Sequence, residues 1–499
     1  MSPPDRTEPA PATPAPGLEP DRGEPGRHGP LLRDAFITIV TRVGLAVLIF
    51  ATDIVLARLL GPSAKGRFTI VLLYSQLVAL ILGFGMDQAL AVVSARDRST
   101  AGRGIANALV WTAVVGGFGV IVSMWAYGLG HPGPPDGPLV PLVPNLSARQ
   151  FVYAALAIPG EMFFAIGLNA LLGRGLIPEY SALRVLRRLT LLVLIVAMAA
   201  IASLSLTVAL LLNLVALGLT AVAVLIVAFR GRFLSASPSL PLLREELRFG
   251  GRALPGSLAE RLQFRADAFL VNAFIGIRAT GIYSVTSGLA ETLWYIPNAL
   301  GVVMFSRAVT PGSDTSHVAA LLTRTTLALT AFVAIPTFIV GPYLVRFVYG
   351  APFADAGVAL RFILPGVVAY SVVAVLTRFI TGRGRPGTTT AIMLTGLGAN
   401  IAANVVLIPR LGINGAALAS SISYVLTALL TVVIFHRLSG RGVRETLLIR
   451  RSDVLAVIRA TRETIARLRA RRRGELVGLA GGDSAAGVVM DELEPGDER

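Results

Sequence analysis

Leu59-Leu60-Gly61-Pro62-Ser63-Ala64-Lys65-Gly66-Arg67-Phe68 returns, 215 residues later, as Phe274-Ile275-Gly276-Ile277-Arg278-Ala279-Thr280-Gly281-Ile282-Tyr283. In both copies two glycines frame a short joint between long apolar stretches. A missing Cβ is what a tight turn with positive φ requires there. Two weaker matches follow in the same order: Ile158-Pro159-Gly160 with Leu364-Pro365-Gly366, and Gly173-Arg174-Gly175 with Gly382-Arg383-Gly384. The chain therefore reads as two copies of one unit.

Composition says what kind of unit. The 499 residues are 54% hydrophobic and only 15% charged, too little charge to cover a water-facing surface. Apolar runs of about twenty residues recur, each long enough to cross roughly 30 Å of hydrocarbon as a helix. Backbone groups in lipid must pair within their own segment, and the alternation of a membrane β-barrel is missing. The expected fold is an all-α polytopic membrane protein of about twelve helices, in two pseudo-symmetric six-helix lobes. The spans predicted are 34–60, 67–94, 104–128, 149–172, 182–203 and 206–229, then 253–275, 281–306, 319–345, 357–381, 387–408 and 413–436.

Arginine placement tests the count. With both termini cytoplasmic, internal loops hold sixteen basic residues and external loops six, which follows the positive-inside bias. The net charge of +16 is thereby a matter of membrane topology, and nucleic acid is not an expected partner. No cysteine is present, so thiolate metal sites and disulfides are excluded. Neither a metal nor a cofactor is expected.

Six segments are predicted: a disordered tail at 1–33, an N-lobe at 34–230, a cytoplasmic amphipathic linker at 231–252 and a C-lobe at 253–438. After them come a basic amphipathic helix at 439–474 and an acidic disordered tail at 475–499. The basic helix is expected to rest on anionic lipid, and possible partners there are envelope-synthesis enzymes. No signal peptide is read at the N-terminus. Because each half holds an even number of spans, the copies share one orientation, with a site at their interface.

Several segments resemble the polysaccharide transporters, or Wzx-type oligosaccharide-lipid flippases, of the multidrug/oligosaccharidyl-lipid/polysaccharide exporter superfamily. They are Ala57 to Phe68, Gly83-Phe84-Gly85-Met86-Asp87-Gln88-Ala89-Leu90, Arg265-Ala266-Asp267 through Ser284, Tyr349-Gly350-Ala351-Pro352-Phe353, and Leu407 to Ala417. The resemblance covers roughly 34–438. It implies a V-shaped bundle with a central cationic cavity. It also implies a polyprenyl-pyrophosphate-linked glycan as cargo, moved from the cytoplasmic to the periplasmic leaflet of a bacterial inner membrane by a monomer. Drug exporters and lipid II flippases of the same superfamily stay open as alternatives.

Charges at bilayer depth are the candidate site, since each costs about 2.5–3.5 kcal/mol on insertion scales and is rarely idle. Arg42 and Asp53 share one face of the first helix, about 16 Å apart along its axis. Arg261 and Arg265, four apart in the seventh, would present two guanidinium forks to a pyrophosphate, or brace the lobes through an ion-pair ladder. Arg378 completes the expected cationic set. Asp53, Gln76, Glu161, Asp267, Glu291, Asn272 and Asn298 are read as coupling groups or polar cavity lining. No catalytic residue is expected: Walker and HExxH motifs and close carboxylate pairs in polar loops are missing.

Overall fold

The computed structural model describes residues 28–97, 99–129, 135–140, 143–231, 233, 237–308 and 315–449, with side chains from 44 onward except at 296, 302, 303, 306 and 307. Residues 1–27 of the expected N-terminal tail, the acidic tail and most of the basic C-terminal helix lie outside these residues, as does the Arg42 side chain, whereas 28–33, expected to be disordered, begin the first helix.

Among the described residues there is no strand. The helices are α1 (His28–Leu82), α2 (Met86–Arg96), α3 (Thr100–Trp111), α4 (Gly117–Ala126), α5 (Ala148–Gly173), α6 (Ile177–Ile201), α7 (Leu206–Arg230) and α8 (Leu240–Gln263). They continue as α9 (Ala266–Ile275), α10 (Ile277–Thr292), α11 (Tyr295–Ala308), α12 (Ser316–Tyr349), α13 (Ala354–Gly382), α14 (Pro386–Leu411), α15 (Ile413–Ser439) and α16 (Val443–Leu447). Each of the twelve expected spans falls on helix. Among the described residues eight stretches are long and apolar enough to cross a membrane outright. The other four carry arginines or are broken in mid-span, which removes them from a test of length and hydropathy alone.

The repeat is written into the backbone. Gly61 has φ 72°, ψ 173° and its counterpart Gly276 has φ 93°, ψ 178°, a region open essentially to glycine. Gly175 and Gly384 likewise both turn left-handed, at φ 87° and 76°. The Pro-Gly pairs do the same job in each lobe. A Cβ on Gly160 would strike Leu217 of α7, and one on Gly366 would strike Ser421 of α15. Each lobe thus packs its fourth span on its sixth through a bare backbone.

The lobes keep separate cores. Phe151, Ile158, Met162 and Leu210 are buried in one half, and Tyr283, Leu364, Tyr370 and Tyr424 in the other. They meet at one end through Ala57, Ile282, Val285, Tyr349 and Phe353. There the two matching hairpins touch so closely that a Cβ on Gly66 would strike the Ile277 carbonyl, and one on Gly281 the Pro62 carbonyl. Lys65, 3% exposed, donates to Asp53 at 2.6 Å and to Ser284 at 3.1 Å across the same seam. Arg58 reaches over to the Val348 carbonyl at 2.8 Å. We call this the hairpin end.

At the opposite, linker end, the stretch read as a separate surface helix is the first half of α8, continuous into the seventh span. It is docked rather than free. Gly85 and Gly250 meet backbone to backbone, beside the left-handed Phe84 (φ 51°) that breaks the second span. Asn107 of α3 accepts from the Ser239 amide at 2.7 Å, and its amide group donates to Glu246 at 3.3 Å. Glu246 is fully buried and its second oxygen has no partner, an arrangement that suits a neutral acid.

Burial pushes the Glu246 carboxyl up to about 8, the Asn107 hydrogen bond opposing and neighbouring Glu245 adding to it. A raised folded-state value means the folded protein binds the proton more tightly than the unfolded chain. Docking is therefore strongest in acid and weakens as pH climbs from about 4.5 to about 8. Glu246→Gln should remove that slope. Thermal unfolding of detergent-solubilised protein across pH 5–9 checks it; an unchanged slope in the variant would place the titration elsewhere.

Candidate functional site

A cavity runs between the lobes from the linker end toward the sealed hairpin end, in two adjoining chambers. The linker-side chamber holds about 340 Å³ and is lined by Gln76, Asp87, Glu161, Arg184, Arg187, Arg188 and Arg261 among apolar side chains. The hairpin-side chamber, about 200 Å³, is lined by Asp53, Lys65, Gln76, Arg188, Arg265, Asp267, Ser284, Ser287 and Glu291, among others. Ile49, Gln76 and Arg188 line both, so the chambers adjoin.

Sequence reasoning counts Arg184, Arg187 and Arg188 as loop charges. The structure places them on α6, on the cavity wall. Their spacing of three and four residues, one face of a helix, is the signal that marks them. In the other lobe, the expected shared face of Arg261 and Arg265 does not form. The helix stops at Gln263, and Phe264 turns into an aromatic box of Trp294, Tyr370 and Tyr424 at centroid distances of 4.8, 5.3 and 6.0 Å. Arg261 consequently opens to the linker-side chamber and Arg265 to the other.

Each lobe pairs one arginine with one carboxylate, fork to fork. Arg187 donates to both oxygens of Glu161, one contact at 2.9 Å. Arg265 donates to both oxygens of Glu291, at 2.6 and 2.9 Å. Such bidentate bonds are the strong kind. Arg188 and Arg261 make no hydrogen bond or ion pair among the described residues. With Asp53 held by Lys65, the linker-side chamber keeps an excess of positive charge while the hairpin-side chamber is balanced.

The remaining expected residues divide by position. Gln76 lines both chambers. Asp267, 1% exposed, is turned into its own lobe, accepting from Tyr283 at 2.5 Å, Ser420 at 3.1 Å and the Ala268 amide at 2.8 Å. Asn272 ties the loop before α5, donating to the Pro144 carbonyl at 2.9 Å. Asn298 and Arg378 lie outside both linings, Arg378 packing beside Gly301.

Residues 179–357 match a family described as "Polysaccharide biosynthesis protein". That segment spans α6 to the start of α13 and contains every arginine on the cavity walls. A solved multidrug resistance MATE family transporter of the MOP superfamily, in an inward-facing conformation, superposes with a TM-score of 0.64 at 17% identity, covering 79% of this chain and 94% of its own. The lipid II flippase MurJ, in an inward closed conformation, gives 0.65 at 12% identity, covering 86% and 92%. The chain has the MATE and MurJ fold. An outward-facing MATE transporter gives 0.53 at 18% identity, covering 84% of this chain and 97% of its own. Among curated protein sequences there is no match. The family segment and the shared MATE and MurJ fold together support the resemblance to the polysaccharide transporters. With the apolar helices they fit a multi-pass membrane protein.

Proposed function

We propose that this protein is a flippase that carries a polyprenyl-pyrophosphate-linked glycan across the bacterial inner membrane, with the linker end and both termini cytoplasmic. The observation that carries the reading is the charge pattern along the cavity. The mouth on the linker side offers Arg184, Arg188 and Arg261 without carboxylate partners, while every carboxylate deeper in is paired or bonded. A pyrophosphate entering there meets unneutralised guanidinium groups, which offset its desolvation. Its sugars ride in the wet cleft and its lipid tail stays in the bilayer. The Lys65 seam at the hairpin end then opens as the lobes rock. A cationic drug would need free carboxylates, and the chamber walls give it only Asp87, which shares its chamber with the unpaired Arg261; the other carboxylates are paired or bonded. Anionic lipid is the expected contact of the basic stretch 439–474.

The test is reconstitution of the full chain in liposomes with a polyprenyl pyrophosphate bearing a fluorescent sugar. Exposure of the label to a membrane-impermeant quencher should speed up at least ~10-fold over empty vesicles, above the ~1.4 kcal/mol that marks a clear difference. Transport of a lipophilic cation with no movement of the labelled lipid would overturn the reading.

A further inference from the structure

We propose that the hairpin-side chamber is a subsite for one sugar ring, the ring joined directly to the diphosphate, and that Gly288 sets its size. This rests on the reading of the cargo given above and places the first sugar of that cargo.

The α10 wall of this chamber is one helical face. Ser284, Ser287, Gly288, Glu291 and Thr292 line it, at the three- and four-residue spacing of neighbours on a helix. Two of its hydroxyls give their protons to their own helix, Ser287 to the Ser284 carbonyl at 3.3 Å and Thr292 to the Leu289 carbonyl at 2.6 Å. Their oxygens are thereby left as acceptors. So is the Glu291 carboxylate, each of whose oxygens accepts once from Arg265. From the other lobe, α1 adds apolar Phe50, Leu56, Phe68, Leu72 and Leu73. A pyranose has the same two characters: hydroxyls round its rim, which donate and accept, and C–H faces, which pack on apolar surface.

Charge points the same way. Asp53 is paired with Lys65, Glu291 with Arg265, and Asp267 is bonded to Tyr283 and Ser420. Among the described residues Arg188 is the one cation of this wall without a carboxylate, and it stands where the chambers adjoin. Phosphoryl groups are thus held on the linker side, and the deeper chamber offers hydrogen bonds rather than net charge. At about 200 Å³ it has the space of roughly six waters, enough for one pyranose and too little for two. The hairpin seam closes its far end, so a sugar attached to a diphosphate at Arg188 reaches it from the linker side. Neither backbone nor packing asks for glycine at 288, a costly residue inside a helix. Its φ is not positive, and a Cβ there would meet nothing within 4 Å, whereas Gly281 of the same helix is pressed against the Pro62 carbonyl. What the bare backbone does is keep the chamber open, since a side chain at 288 would stand where the ring lies.

Calorimetry on the purified full chain in detergent tests this, with farnesyl diphosphate and with farnesyl diphosphate carrying a single glucose, galactose or N-acetylglucosamine. In wild type the best-bound of these sugars should tighten binding at least ~10-fold, about 1.4 kcal/mol, over farnesyl diphosphate. Gly288→Leu should abolish that gain and leave farnesyl diphosphate within about twofold of wild type. Gly288→Ala, the milder change, should lose part of the gain. Ser287→Ala, which removes an acceptor, should cut it roughly two- to tenfold. Unaltered binding of the sugar-free ligand shows that each variant is folded. No gain from any sugar in wild type, a gain that survives Gly288→Leu, or an equal loss of both ligands in Gly288→Leu and Gly288→Ala, would overturn the proposal while leaving the flippase reading intact. If wild type binds none of these ligands, both readings fall.

Discussion

Arg188→Glu is expected to reduce lipid-linked transport by a factor of roughly 30 to several thousand. That range corresponds to the ~2–5 kcal/mol lost when one member of a desolvated charge pair is removed. Arg188 is the cleanest arginine for the purpose. Arg187 and Arg265 each hold a carboxylate, so reversing either would orphan a partly buried glutamate and confuse binding with folding. Arg188 holds none, and its side chain reaches the junction of the two chambers. The lysine variant should keep part of the activity, because it keeps the charge and loses the fork. Arg378→Glu, outside both linings, should stay near wild type. Quencher accessibility in liposomes, normalised to the amount of inserted protein, reads all three. Equal loss at Arg188 and Arg378 would mean that charge matters only to insertion.

The second large effect is expected at the hairpin end. Gly281→Leu puts four carbons where the Pro62 carbonyl already lies, and Gly66→Leu does the same against Ile277. Overpacking of a tight contact costs about 1–3 kcal/mol or more, enough to shift a two-state equilibrium roughly tenfold to a hundredfold. The seam should open, since its remaining ties, Lys65 to Asp53 and Ser284 and Arg58 to Val348, depend on the same approach. Spin labels at Ser63 and Arg278 should report a longer and broader distance, with transport lost. Gly398→Leu, whose Cβ position faces open space away from both chambers, is the control. An unaltered distance in Gly281→Leu would show that the hairpins do not hold the lobes shut.

The plan of the molecule was legible because lipid imposes it. Apolar length fixed the spans, arginine asymmetry fixed their number, and the glycine pairs at Gly61 and Gly276 marked the repeat that the backbone dihedrals repeat. The interior of the site was less legible. Arg184, Arg187 and Arg188 stand near a helix start, where a basic residue ordinarily means a headgroup contact, and only the lobe geometry turns them inward. The break between Arg261 and Arg265 has no glycine or proline to announce it. It follows from where Phe264 finds aromatic partners, a tertiary fact carried by α13, α15 and the turn between α10 and α11. Glu246 reads as one more charge on an amphipathic face; only the docking of that face on Asn107 of α3 shows that it is covered.

α8 ties these regions together. One end is pinned to the first lobe by Asn107 and by the Gly85–Gly250 contact, and the other carries Arg261 to the wall of the linker-side chamber. A rod fastened at one end and working at the other is a crank. Unless it unpins, the lobes can swing only by flexing it, and Gly250-Gly251 and Pro255-Gly256 are the weak stretches it offers. The turnover rate should therefore answer to substitutions some turns of helix away from any ligand, with cargo affinity untouched.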